Sequence, residues 1–306
     1  MTVRFHGHRA VSTVAVLAVL TTAALTLSGC GRSAGGAAGG KIRVVASTNV
    51  WGSVVRAVGG DAIELRSIIS HPSADPHSYE STPADAAAVK DADLVVFNGG
   101  GYDPFIPKIL SSAGSKRTVQ AFTLLDGKDQ NEHVWYDLPV VERVADQLAA
   151  QLGASKPDHR DTFNRNAEAF HAKVDALDVR VHEIGNAHAG GKVLATEPIA
   201  HYLLEDAKLT DVTPEKFVHA IETQADPPAD SIARVRQLID TRAVAVLVDN
   251  PQTESPVTKR VRTDAERARV PVVEMTETLP EGKDYLQWMS DQVDKLSAAL
   301  AQQRPT

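Results

Sequence analysis

The sequence predicts an α/β fold: two parallel-sheet α/β lobes joined by one long rigid helix. Three observations carry that expectation. Short β-branched runs alternate with amphipathic stretches on both sides of the chain's midpoint, the pattern of βαβ units. Between these blocks Phe163, Ala167, Phe170, Val174, Leu177, Val181 and Ile184 follow alternating steps of four and three, a single apolar stripe on a helix. No glycine or proline interrupts residues 158–184.

The chain opens with a segment outside the fold. Arg4 and Arg9 precede the uncharged apolar stretch Val11–Leu27, and Leu27-Ser28-Gly29-Cys30 follows. Residues 1–29 read as a secretory signal. The last four residues of this pattern resemble a bacterial lipobox, in which cleavage leaves Cys30 to be acylated as the new N-terminus. Cys30 is the only cysteine, which excludes an intrachain disulfide and a thiolate metal cluster. Residues 30–40, dominated by glycine and alanine, form a flexible tether. Beyond the leader no apolar run is long enough to span a bilayer, so the expectation is a lipid-anchored protein held at the membrane without crossing it.

Residues 41–154 make the N-terminal lobe. Lys41–Ser47, Ile63–Ser70 and Asp93–Asn98 read as strands from their β-branched content and flanking breakers. Trp51–Val58, Pro83–Lys90 and Pro139–Leu152 read as helices, the second capped by Thr82 and the third opened by Asp137. Residues 155–186 form the connecting helix, with Ser155 as its cap, Pro157 in its first turn and Gly185 as its stop. At 1.5 Å per residue it is about 45 Å long. Binding proteins that close by a hinge use two or three flexible strands; one unbroken helix hinges poorly and predicts little movement on ligand binding. In the C-terminal lobe, residues 187–306, Lys192–Thr196, Ala243–Asp249 and Val270–Met275 read as strands. Helices are expected from Pro198 through Leu204, over Ala229–Asp240 and over Thr258–Arg269.

Four side chains able to ligate a metal follow strand ends: His77, His133, Glu197 and Glu277. Residues just beyond the carboxyl ends of parallel strands face one crevice. Two imidazoles and two carboxylates converging there would make a transition-metal site in the cleft between the lobes. Taken singly, each has a plainer reading. His77 after Asp75-Pro76 also suits a hydrogen-bonded turn, with Asp75 placed to accept its ring N–H. His133 alone reads as a surface histidine, and Glu197 before Pro198 as an acidic N-cap. His201 and His71 are reserve ligands, and Asp249 and Glu274 rival Glu277 at strand ends. His159, His171 and His182 belong to the connecting helix and read as solvated. The formal charge of −7 falls by two, to −9, once Arg4 and Arg9 leave with the leader. That acidity argues against a nucleic-acid partner.

The motifs resemble a known family. Asp75-Pro76-His77-Ser78-Tyr79-Glu80, Glu132-His133-Val134-Trp135 and Thr196-Glu197-Pro198 are similar to the zinc/manganese-type solute-binding proteins of bacterial ABC importers. Gly59-Gly60-Asp61, Phe97-Asn98-Gly99 and Thr213-Pro214-Glu215 fit the same order, and the resemblance spans most of residues 41–303. It implies two lobes on one long helix, a metal in the cleft, and delivery of that metal to a membrane permease by a monomeric, extracytoplasmic lipoprotein. It also selects the ligands: His77 and His133 match the family's two histidines, and Glu197 its glutamate-type third position. The fourth position is usually aspartate, where this chain offers Glu277, whose extra methylene the backbone must absorb. Zinc-type members often carry a histidine-rich loop before the second ligand, whereas Gly114–Asn131 contains no histidine. A glutamate third ligand leans towards Mn²⁺ through the family; the Irving–Williams order leans towards Zn²⁺, and Zn²⁺ is the expectation. With neutral imidazoles and ionised carboxylates, a divalent ion leaves the site uncharged, which permits its burial.

The competing class is a secreted metal-dependent hydrolase, and an adhesin-like surface protein is a third. Catalytic zinc usually has three protein ligands and an open position, often in an HExxH helix. Here four ligands are offered and no HExxH, Gly-x-Ser-x-Gly elbow or Walker A loop occurs. The expectation is that the protein is not an enzyme.

Overall fold

The structure is a computed structural model and describes residues 40–127 and 131–302; the expected signal segment and Cys30 lie outside the described residues. The first lobe runs β1 (Ile42–Thr48), α1 (Asn49–Gly59), β2 (Ile63–Ile69), α2 (Pro83–Asp91), β3 (Leu94–Phe97), α3 (Phe105–Leu110), β4 (Thr118–Gln120) and α4 (Leu138–Ser155). Its strands are all parallel, in the order β2-β1-β3-β4. Parallel sheets are covered on both faces, and β3 is accordingly buried at every position. Local chemistry sets the helix starts. Thr82 Oγ1 accepts from the Asp85 N–H while the Asp85 carboxylate accepts from the Thr82 N–H, with Pro83 in the first turn.

The connecting helix α5 (Arg160–His188) has 29 residues, and all seven stripe positions from Phe163 to Ile184 are buried. Both of its expected ends are corrected. Ser155 is the last residue of α4, not a cap; its hydroxyl donates back to the Gln151 carbonyl (2.9 Å). Pro157, which lacks an N–H, breaks the run there and opens a 3₁₀ turn, Pro157–His159, that leads into α5. Gly185 does not stop the helix. It lies inside α5, where a Cβ would sit 3.0 Å from the Ala207 carbonyl oxygen, so the glycine serves close packing and not a helix end.

The second lobe runs β5 (Lys192–Ala195), α6 (His201–Asp206), β6 (Thr210–Asp211), α7 (Glu215–Glu222), α8 (Ala229–Asp240), β7 (Val246–Asp249), α9 (Pro256–Ala268), β8 (Val272–Glu274) and α10 (Tyr285–Ala301). Its sheet is also parallel, in the order β6-β5-β7-β8, repeating the order of the first. In each lobe the chain reverses its direction of travel between the two central strands, the place where an open α/β sheet leaves a crevice.

The lobes are not merely strung on a helix. One hydrophobic cluster runs from Ile42, Trp51 and Val96 through the α5 stripe to Val193, Leu203, Val248 and Leu296. Helices α4 and α10 both pack along α5, and α10 also reaches α1. Asn49 pairs with both backbone groups of Leu279 (3.1 and 3.0 Å), and the Tyr285 hydroxyl donates to the Trp135 carbonyl (2.7 Å). Among the described residues no helix is long and apolar enough to cross a membrane.

If α5 is the spine of a shared core, its two faces must differ sharply. Leu177 is 5% exposed and Val179 57% exposed. Leu177→Ala should destabilise the protein by about 2–5 kcal/mol, and Val179→Ala by no more than about 0.5 kcal/mol. Urea denaturation of the two variants measures the contrast.

Candidate functional site

Each lobe sends two side chains into the gap between the sheets. The loop after β2 carries His77, whose backbone N–H and the Ser78 hydroxyl both donate to Asp75 (2.9 Å each). Asp75 therefore shapes the turn and does not hold the His77 ring, which corrects the role expected for it. His133 opens the 3₁₀ turn Val134–Tyr136 and is fully buried. Asn131 Oδ1 lies 2.9 Å from both the His133 backbone nitrogen and its Nδ1. An amide oxygen can only accept, so Nδ1 carries the proton and Nε2 keeps its lone pair. From the second lobe come Glu197, after β5, and Glu277, after β8, which are 3% and 0% exposed.

The structure brings these four together. One ligand atom from each of His77, His133, Glu197 and Glu277 lies within 4.8 Å of the others. His77 Nε2, His133 Nε2 and Glu277 Oε2 are buried and make no hydrogen bond. Buried polar atoms without partners are rare in folded proteins. Three facing one point mark a place for an electron-pair acceptor. Tyr102 packs edge-on against His77 (5.0 Å, 87°) and Trp135 against His133 (5.2 Å), so aromatic rings wall the site.

One neutral residue holds the two carboxylates side by side. Asn250 Nδ2 donates to Glu197 Oε2 and to Glu277 Oε1, both at 2.7 Å, and the Thr253 hydroxyl adds a third bond to Glu197 Oε2 (2.7 Å). Gln252 clamps the lobes from the next turn. Its Nε2 lies within 3.1 Å of the Pro72 and Ala74 carbonyls and 2.8 Å from Thr278 Oγ1, while its Oε1 accepts the Glu277 N–H. Sequence reading missed Asn131, Asn250 and Gln252. The one available signal was an Asn-Pro turn at the carboxyl end of a strand.

Burial decides the protonation. It lifts the Glu277 carboxyl well above the ordinary range, with the Glu197 charge adding to it, and lifts Glu197 as well. The turn Pro198–Ala200 and helix α6 run on from Glu197, and their N-terminal end favours an ionised carboxylate, but desolvation wins. Burial holds the His133 imidazole well below its usual value, with His77 and His201 adding to the effect.

The reserve residues are engaged elsewhere. Asp249 and Glu274 both pair with Arg262 (3.0 and 2.6 Å). His201 turns to Glu205 (3.6 Å), and exposed His71 lies 2.8 Å from the Ser73 hydroxyl. A cleft of about 450 Å³ leads to the cluster past Asp75, Glu222, Asp226 and Glu254, with His77 and Glu197 in its wall. Among the described residues no lysine or arginine lines it, so the field of those residues favours cations. Glu222 there is pushed up to about 7 by burial and by the charges of Glu132 and Glu197. A larger cleft of about 700 Å³, lined by Asn49, Arg56, His71 and Lys283, contains none of the four.

Two α/β lobes fixed to one helix, with a polar cluster buried between them, is the architecture of a substrate-binding protein. The chain belongs to the family described as zinc-uptake complex component A, periplasmic, whose model matches residues 44–299. It is similar to the metal ABC transporter substrate-binding lipoprotein FimA of Streptococcus parasanguinis, at 25% identity over 94% of this chain and 98% of the relative. Relatives of this kind are named as binding lipoproteins of transporters, not as enzymes. Among solved structures, the periplasmic zinc-binding protein TroA from Treponema pallidum shares the fold, with a TM-score of 0.69 at 18% identity over 85% of this chain and 99% of that one. So does FpvC from Pseudomonas aeruginosa in complex with Mn²⁺, with a TM-score of 0.71 at 19% identity over 86% and 100%.

A carboxyl raised on folding stabilises the fold fully below its ordinary value and loses that contribution as pH rises through the folded one. The metal-free protein should therefore lose stability from Glu277 as pH climbs above 4.5. The depressed His133 acts oppositely, contributing above 6.5 and losing it as pH falls. Glu277→Gln separates the two. At pH 8 it should raise the melting temperature of the metal-free protein, by about 2–4 °C for each kcal/mol relieved, as calorimetry in chelator can check.

Proposed function

We propose that this protein captures a divalent transition-metal cation, Zn²⁺ before Mn²⁺, outside the cytoplasm and delivers it to the permease of an ABC importer. The observation that carries the reading is the meeting of three buried atoms without hydrogen bonds, His77 Nε2, His133 Nε2 and Glu277 Oε2, beside Glu197. Two neutral imidazoles and two carboxylates match the charge of a divalent ion, so the cation offsets what burial imposes on the glutamates. The acidic cleft supports entry of a cation in preference to an anion.

Zinc is preferred because nitrogen and oxygen donors in a compact four-atom set suit a tetrahedral ion, and because it binds such donors more tightly than manganese. Relatives and neighbours named for either metal support the wider class. Anchoring through an acylated Cys30 on the 30–40 tether would keep the loaded protein beside the permease, within reach of its mouth. A monomer suffices, since one chain supplies all four donors.

Isothermal titration with Zn²⁺ and Mn²⁺ should give one tight ion per chain, with Zn²⁺ displacing Mn²⁺. His77→Ala and His133→Ala should each weaken binding by several powers of ten. His171→Ala, on α5 with its ring 3.3 Å from Asp146, should leave affinity unchanged; an equal loss there would sink the assignment. Affinity should also rise with pH, because the ion must displace the protons that burial keeps on the carboxyl pair.

A further inference from the structure

The two glutamates of the cluster are held in an uncommon way. A carboxylate can offer a metal one oxygen or both, and the choice sets the coordination number. Here each has one oxygen engaged. Asn250 Nδ2 places one hydrogen on Glu197 Oε2 and the other on Glu277 Oε1, at 2.7 Å each. Glu197 Oε2 also takes the Thr253 hydroxyl at 2.7 Å, which fills its second lone pair. What remains is Glu277 Oε2, buried without a hydrogen bond, and Glu197 Oε1, to which no described residue donates.

Asn250 is itself fixed on every side. Its backbone N–H donates to Thr196 Oγ1 (3.0 Å), its Oδ1 accepts the Gln252 N–H (3.0 Å), and the residue is 1% exposed. Swinging the amide away would abandon three hydrogen bonds in a buried place, which the site cannot replace. The tether is built in, not transient.

We infer that Asn250 is a specificity-determining positioning residue: by holding back one oxygen of each glutamate it limits the cluster to four donor atoms and so favours zinc over manganese. This rests on the cation-binding reading above. Four donors, two imidazole and two carboxylate, are a complete tetrahedral set for zinc. Manganese prefers an octahedral, oxygen-rich shell. With both glutamates released to bind through both oxygens, the same residues would offer six donors. Asn250 thus acts through the denticity of its neighbours without touching the ion. Thr253 assists on Glu197 alone.

Cobalt reports the coordination number directly, because four-coordinate Co²⁺ absorbs visible light far more strongly than six-coordinate Co²⁺. The purified protein, Asn250→Ala and Thr253→Val would be loaded with Co²⁺, and their Zn²⁺ and Mn²⁺ affinities measured by competition. The wild type should show the intense bands. Asn250→Ala should weaken them and lower the Zn²⁺/Mn²⁺ affinity ratio by about 10–100-fold, and Thr253→Val should shift both the same way by less. A six-coordinate spectrum in the wild type overturns the proposal. So does a uniform loss of affinity in Asn250→Ala at constant ratio and spectrum, which marks a merely structural amide. Should Asn250→Ala fail to fold, Thr253→Val decides: a shifted ratio and spectrum support the tether, and unchanged ones overturn it. A folded wild type that takes up none of the three metals refutes the cation-binding reading itself.

Discussion

Two carboxylates buried in contact with one amide are the constraint on which the rest of this structure depends. Removing a charged carboxylate from water is costly, and a second one alongside makes it more so. Asn250 and Thr253 meet part of that cost with neutral donors. The rest is left open, with two imidazole nitrogens and one carboxylate oxygen facing each other unpaired. Such a cluster is unstable as it stands and satisfied by one doubly positive ion. Burial of His133, Glu197 and Glu277 also limits the water that could compete for the same atoms.

The scaffold answers to that demand. Donors from two lobes meet within 4.8 Å only if the lobes do not drift, and three devices prevent it. Helix α5 spans the molecule without a break. The hydrophobic cluster passes through it from one sheet to the other. At the cleft, Gln252 of the second lobe grips the Pro72 and Ala74 carbonyls in the loop that presents His77. The Tyr102 hydroxyl of the first lobe donates to the Glu277 carbonyl, and Asn131 beside His133 donates to the Pro198 carbonyl, so hydrogen bonds cross between the lobes at His77, His133 and Glu277 alike.

Much of this was legible in the residues. The α5 stripe was plain because a sustained steps-of-four-and-three pattern has no competing explanation, and all seven positions are buried. The convergence of the four donors followed from parallel topology together with the family's motif order. What failed was finer. Ser155 and Gly185 carry the residue types of helix ends, yet a proline and a backbone contact with Ala207 decide what they do. Strands β4 and β6 have three and two residues, too few to show a period. Asp249 looked as good a ligand as Glu277 until Arg262, thirteen residues on, claimed it. Asn131, Asn250 and Gln252 carry no charge and act only through tertiary neighbours, so nothing in a one-dimensional reading sets them apart from other loop amides.

The shared core has a consequence for how the chain unfolds. Where one apolar cluster serves both halves, beside a smaller one within each, neither half melts without disturbing the other. Any ligand that bridges them resists opening of the entire chain by mass action. A cation bound at the four side chains would then be felt far from the cleft, raising the free energy of opening the chain as a whole.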